Sequence, residues 1–345
     1  RTRAEKGEKS ILLVPEQFTS STEGRIYREL GDALSGMVES FSFTSLAEKI
    51  LSTEGGAAVQ TLSDAGRAVL VRRALEELQD NVHYYHRHRR SAAFCQMAAQ
   101  TIDELKSAGL SGQQLAQLAG ACGAESGKLS ELALIFQGYE TLLARSGMDP
   151  SDRLELAGAR LEEALARHSL PEFLRDRAVF IDEFDTFNAP KKRLLGAMLA
   201  ALPSVTVALC DDGAPLLPGD LSLFSGAKQV AAQLRQIKRK NGAEVAVPQL
   251  LRKDLRHRNA PGLAAVAELL ETGSCTADAQ AGEVRLFAAP SREEEARAAA
   301  GAIRRLMRQG VRCGKIAVVC RDIAKYRAAV RYEFRMAEIP LYCDE

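Results

Sequence analysis

Val179-Phe-Ile-Asp182-Glu183-Phe184 is the segment of this sequence with the clearest chemistry. A short apolar run reads as a buried strand, and it delivers two adjacent carboxylates at its carboxyl end. Nucleotide hydrolases need that arrangement: an aspartate holds Mg²⁺ through water while a neighbouring glutamate orients the attacking water. Asp182 is therefore the candidate Mg²⁺ ligand, and Asp182 with Glu183 the candidate catalytic pair. A plain strand running into an acidic, solvated turn has the same pattern, so the motif needs its context. Its expected companion is a phosphate-cradling loop, G-x-x-x-x-G-K-[ST], and the sequence contains none. Gly123-Ala-Glu-Ser-Gly127-Lys128-Leu129 imitates it, with only three residues between the glycines and Leu where the metal-binding hydroxyl belongs. No strand precedes it, so it reads as a loop between helices.

Two basic stretches are candidates for nucleic-acid contact. His83-Tyr-Tyr-His86-Arg-His88-Arg-Arg90 packs three of the five His, two Tyr and three Arg into eight residues. Arg87 and Arg89 would meet phosphates while the tyrosines stack on unpaired bases. The bland alternative is a solvated helix end with the tyrosines packed beneath it. A metal site is the weaker option, because residues 83, 86 and 88 do not share one helix face. Arg256 and Arg258, in Arg252-Lys-Asp-Leu-Arg256-His-Arg258-Asn259, present the same choice. Asp211-Asp212 follows another strand and reads first as an ordinary turn, with a Mg²⁺ or sensor contact as the alternative. No Ser/His/Asp constellation stands out.

The elements that must position these groups are strands and helices in alternation. Ser10-Ile-Leu-Leu-Val-Pro15, Met37–Phe43, Val179–Asp182 and Val205–Cys210 read as buried strands. Continuous apolar strands separated by helices imply a parallel sheet covered on both faces. Between Ser63 and Arg167 the pattern becomes helical, with Leu132, Ile135, Phe136, Tyr139, Leu142 and Leu143 recurring every three or four residues. Ser63 is a candidate helix cap. Small and polar residues from Gly273 to Gly282 mark a boundary, followed by a strand–helix–strand unit from Glu283 that includes Ile316–Cys320. The expected organisation is an α/β domain in two segments, 1–60 and 173–272, a helical insertion at 61–172, and part of a second α/β domain at 283–345.

The length, 345 residues, suits two or three domains. With 46 Lys+Arg against 45 Asp+Glu, bulk charge cannot hold a nucleic acid, so any binding must use local patches. The seven Cys are scattered and never form C-x-x-C, which argues against a disulfide framework or zinc knuckle and for a reducing, cytoplasmic setting. No apolar run approaches a membrane span. The chain begins at Arg1, not Met, which reads as a segment of something longer.

Taken in order, several segments resemble a superfamily-1 helicase core, and more narrowly the AddB (RexB) family, which forms part of a heterodimeric helicase–nuclease of bacteria. They are Leu12-Leu-Val-Pro15-Glu-Gln17-Phe-Thr19, Ser40-Phe-Ser-Phe43-Thr44-Ser-Leu46-Ala47, Phe180-Ile-Asp182-Glu183-Phe184-Asp-Thr-Phe187 and Leu223-Phe224-Ser-Gly. Ser291-Arg-Glu-Glu-Glu295, Ile316–Asp322, Tyr326 and Ile339–Asp344 continue the match. The resemblance implies a RecA-like domain of the P-loop NTPase type, ATP and Mg²⁺ as cofactors, and double-strand break repair by homologous recombination. It implies single- and double-stranded DNA and an AddA-type helicase/nuclease protein, in a heterodimer, as partners. Asp182 would take the metal position and Glu183 the water-orienting one. Gln17, Thr19, Phe43 and Thr44 fall in segments that line the single-strand path in the family. Residues that are Arg and Trp in some members are Ser45 and Glu48 here, a departure from the hotspot-reading pattern. A phosphate loop would lie before Arg1, and a nuclease domain with a cysteine-ligated iron–sulfur cluster beyond Glu345. No cysteine in this segment matches a cluster ligand. The alternative is a fragment of an active UvrD-type DNA helicase motor.

Overall fold

The computed structural model describes residues 1–241, 244–251, 257–275 and 283–343. Two compact units divide it, residues 1–251 and 252–345.

The first unit opens with a single helical turn, α1 (Thr2–Glu5), and strand β1 (Ser10–Leu13). Helices α2 (Thr19–Leu30) and α3 (Asp32–Ser35) lead to β2 (Val38–Phe41). Six helices then separate β2 from β3: α4 (Phe43–Glu54), α5 (Asp64–Glu77), α6 (Ala92–Ser107), α7 (Gly112–Ala119), α8 (Ser126–Ser146) and α9 (Pro150–Ala166). Strand β3 (Ala178–Ile181), α10 (Ala189–Ala201), β4 (Ser204–Val207) and α11 (Ser225–Asn241) complete it.

The four strands form one parallel sheet in the order β2-β1-β3-β4. Ile11, Leu13, Val179 and Ile181 alternate onto one face and are fully buried against α4, α9 and α10. The opposite face differs from the expectation of cover on both sides. Leu12 there is half-buried and Phe180 is 36% exposed. Cover on that face is partial: Ser10 and Ala178 at its amino end are buried, while Phe180 at the carboxyl end stays partly open to solvent.

A second core lies in the helical stretch and gathers Val71, Leu75, Ile102, Ile135, Phe136 and Tyr139 from α5, α6 and α8. Ser63 does cap α5, its side chain accepting from the Gly66 N–H at 3.2 Å. Helix α9 instead puts Leu154, Ala157 and Leu161 into the sheet core. Lys106 of α6 reaches the carboxylates of Asp149 (2.8 Å) and Asp152 (2.7 Å) at the start of α9, tying the two cores together. Arg153 of α9 pairs in turn with Glu48 of α4, and Arg193 of α10 with Glu155 and Glu162.

The second unit contains α12 (Pro261–Thr272), α13 (Arg292–Arg308) and α14 (Ile323–Met336). Ala296, Ala300, Ile303, Val330, Phe334 and Ile339 make its core. The strands expected around Glu283 and at Ile316–Cys320 do not form among the described residues. Leu286 and Val319 are instead fully or nearly fully exposed. A strand requires a partner backbone, which hydrophobicity alone does not supply. The expected boundary at 273–282 lies partly outside the described residues, from 276 onward.

Candidate nucleic-acid interface at the carboxyl edge of the sheet

Strand order decides where this site lies. The chain leaves β1 toward β2 on one side and reaches β3 on the other, so direction reverses between β1 and β3. In open parallel sheets the crevice for a ligand opens at the carboxyl ends of the strands at such a reversal. The register puts Leu13 beside Ile181, and the Asp182 N–H donates to the Leu13 carbonyl at 3.0 Å. Gln17 and Thr19 leave from β1, Phe43 and Thr44 from β2, and Asp182 and Glu183 from β3. Six of the residues singled out in sequence therefore share one edge.

Their environments differ. Asp182 and Glu183 are exposed. The Asp182 Oδ1 accepts the Glu183 N–H at 2.9 Å, and Glu183 adopts a left-handed φ of 64°. Its Oε1 faces the Arg25 guanidinium of α2 at 3.4 Å. Gln17 is exposed in a single turn of 3₁₀ helix, Glu16–Phe18, and Thr19 is half-buried at the start of α2. Phe43 is only 3% exposed. Its ring meets Phe184 (5.2 Å) and Phe187 (5.9 Å) edge-on, and Phe184 and Phe187 lie 5.4 Å apart. Aromatic pairs of this kind add ~0.5–1.5 kcal/mol beyond area burial. In this arrangement the Phe43 ring supports the edge from below, and Thr44 is the exposed group above it.

The two positions that depart from the family's hotspot pattern are both engaged internally. Ser45 and Ser42 form a reciprocal capping box at the start of α4. Glu48 is gripped by Arg153, whose hydrogen bond holds the carboxyl below its usual value against the opposing effect of burial.

Asp182 offers one carboxylate to a metal, and among the described residues no group of three metal-ligating side chains forms. Mg²⁺ commonly binds through one or two carboxylates plus substrate phosphates, so the rest of the site depends on a phosphate cradle. The β1–α2 turn, Val14-Pro-Glu-Gln-Phe18, contains no glycine and builds none. The residues present thus fit the metal-side fragment of a nucleotide site but not a complete one. Asp212 is committed elsewhere. The Ala214 N–H and then Lys228 lower its pKa, and Lys228 Nζ lies 3.0 Å from it and 3.5 Å from Asp220.

The first of the basic patches is not brought to this edge. His83–Arg90 lies on the helical core, with Arg87 exposed and Arg89 half-buried. The Glu131 carboxylate of α8 accepts from the N–H groups of His83, Tyr84 and Tyr85 at 2.7–3.1 Å. Tyr84 is 55% exposed, with the Lys128 ammonium over its ring. Arg258 is exposed in the second unit, and Arg256 lies outside the described residues.

Sequence reading missed Arg25 and Lys191. Lys191 Nζ sits 5.5 Å from the Phe43 ring centroid and 5.6 Å from that of Phe184. One signal was available: Asn188-Ala-Pro190 starts a helix, and a lysine in the first turn opposes the helix dipole.

A sequence profile of the family described as "ADDB, N-terminal" matches residues 1–267. The chain belongs to this AddB family. It is 32% identical over 353 residues to an ATP-dependent helicase/deoxyribonuclease subunit of Desulforudis audaxviator, covering 99% of this chain and 30% of that protein. The protein of the same name from Symbiobacterium thermophilum is 32% identical over 363 residues, with the same coverage. That of Clostridium perfringens is 29% identical, covering 98% of this chain and 29% of its own length. The chain thus spans about 30% of the curated AddB relatives it matches. Among the described residues, no helix is long and apolar enough to cross a membrane.

Proposed function

We propose that this chain is the helicase-like, DNA-contacting portion of an ATP-dependent helicase/deoxyribonuclease subunit acting in double-strand break repair by homologous recombination. The observation that carries the reading is the convergence of Gln17, Thr19, Thr44, Asp182 and Glu183, from three strands, on one edge at the sheet's reversal point. In this reading the α/β unit is RecA-like and its carboxyl edge is a path for single-stranded DNA. Gln17, Thr19 and Thr44 contact the strand, and Phe43 shapes the path from beneath. Arg87, Arg89, Arg256 and Arg258 are secondary phosphate contacts to flanking single- or double-stranded DNA. The partner is an AddA-type protein and the setting is cytoplasmic. Asp182 supplies the carboxylate for Mg²⁺ in an ATP site of the longer protein, with Glu183 beside it, and an iron–sulfur cluster belongs outside this segment.

The test is oligonucleotide binding across a salt series. Phosphate contacts give an affinity that falls as salt rises, whereas an α/β protein with no DNA role shows no such slope. The alternative, an active UvrD-type motor, is motivated by the adjacent Asp182–Glu183 carboxylates. It requires robust Mg-dependent ATP turnover that Asp182→Ala removes. The scaffold reading expects little or no turnover from this chain.

A further inference from the structure

We propose that Lys191 is a contact for a backbone phosphate of single-stranded DNA, presented at the carboxyl edge of the sheet by the rings of Phe43 and Phe184. The inference rests on the DNA reading above and adds a residue to it.

Lys191 stands where local rules disfavour a lysine. It is the third residue of α10, and Asn188 caps the helix by accepting the Lys191 backbone N–H at 3.1 Å. A cation in the first turn faces the positive end of the helix dipole, an unfavourable placement of ~0.3–1 kcal/mol. Two aromatic faces offset this, because the ammonium lies within 6 Å of both ring centroids. A broken local rule with a built compensation marks a residue kept for something other than stability.

Several other cations of the fold are committed to carboxylates. Lys106, Lys128, Lys228 and Lys325 each pair with Asp or Glu, and Arg193, two residues along, is divided between two glutamates. Among the described residues no carboxylate pairs with Lys191. A ring holds an ammonium through its quadrupole and leaves N–H donors available, so the side chain is positioned but not saturated. Around it the edge carries charges of both signs. Arg25 faces Glu183, one Asp182 oxygen accepts a backbone N–H, and the exposed neighbours Gln17 and Thr44 are uncharged hydrogen-bonding groups. A cation without a carboxylate partner, beside the uncharged Gln17 and Thr44, suits a single phosphodiester with its sugar and base. It does not suit a dense polyanion, which would need a field that a chain of net charge +1 lacks. The aromatic cluster also explains why Phe43 is buried: its ring aims the lysine instead of stacking on a base.

The experiment measures fluorescence anisotropy of labelled oligothymidylate with the 345-residue chain across a potassium chloride series. Lys191→Gln should make the slope of log affinity against log salt shallower by about 0.7, the loss of one single-strand phosphate contact. Lys191→Arg should retain the slope. Lys9→Gln, at the amino end of β1 and so at the opposite edge of the sheet, should leave it unchanged. Circular dichroism confirms that each variant is folded. An unaltered slope in Lys191→Gln, or an equal loss in Lys9→Gln, overturns the proposal. Absence of salt-dependent binding by the unaltered chain sinks the DNA reading itself, which separates the two failures.

Discussion

Asp149→Ala should loosen the junction between the helical core and the sheet. Asp149 is 1% exposed and serves two partners at once: Tyr139 donates to Oδ1 at 2.6 Å, and Lys106 donates to Oδ2 at 2.8 Å. It also occupies the capping position of α9. Truncation leaves the buried Tyr139 hydroxyl without its acceptor, costing ~1–3 kcal/mol. Breaking a buried ion pair costs ~3–5 kcal/mol, but Lys106 keeps Asp152 at 2.7 Å, which places this term at or below the low end. Both terms share one carboxylate and do not add, so the expected loss is about 2–3 kcal/mol. Asp149→Asn keeps an acceptor for Tyr139 and should lose about half as much. With two compact units, a single global transition is a poor assay. Amide hydrogen exchange in α6, α8 and the first turns of α9, read against urea, follows the junction directly. A loss below about 1 kcal/mol, in the range of ordinary surface substitutions, would refute the account.

The pKa of Glu48 is lowered, so its contribution to stability is present above the ordinary value near 4.5 and fades as pH falls toward the folded value. Urea midpoints taken at descending pH should show this component, and Glu48→Gln should remove it. Burial opposes the charge on Lys106, yet Asp149 and Asp152 hold its pKa above 10.5. Its stabilisation is therefore complete below that value and is lost only as pH rises through the folded one, which urea midpoints at alkaline pH would show. Glu183→Gly should raise stability by roughly 0.5–1 kcal/mol, because relief of a left-handed non-glycine residue outweighs the added unfolded-state entropy and a weak exposed ion pair. Thermal melting compared with Glu183→Gln, which keeps the strain, checks this. In Gly112→Ala the new Cβ would lie 2.8 Å from the Gln137 side chain and 3.0 Å from its backbone N, so α7 must shift off α8. A loss of ~1–3 kcal/mol in chemical denaturation is expected.

Much of the α/β frame was legible in local sequence. Ile11, Leu13, Val179 and Ile181 lie in short apolar runs bounded by Pro15 or Asp182, and those runs became β1 and β3. Ser63 announced α5 because a hydroxyl before an apolar periodic run satisfies an orphan amide locally. Ile316–Cys320 misled because pairing is a property of two backbones, and one apolar run looks the same with or without its neighbour.

Local pattern also determined that Asp182 and Glu183 follow a strand, since burial periodicity and chain direction are short-range facts. Only the tertiary structure decided what surrounds them. Strand order β2-β1-β3-β4 brought residues more than a hundred positions apart to one edge, placed Arg25 against Glu183, and put Lys191 over two rings from different elements. It also buried Phe43, a candidate strand-path residue, against Phe184 and Phe187. Those contacts depend on which faces meet across the fold, and no residue carries that information by its own type and spacing.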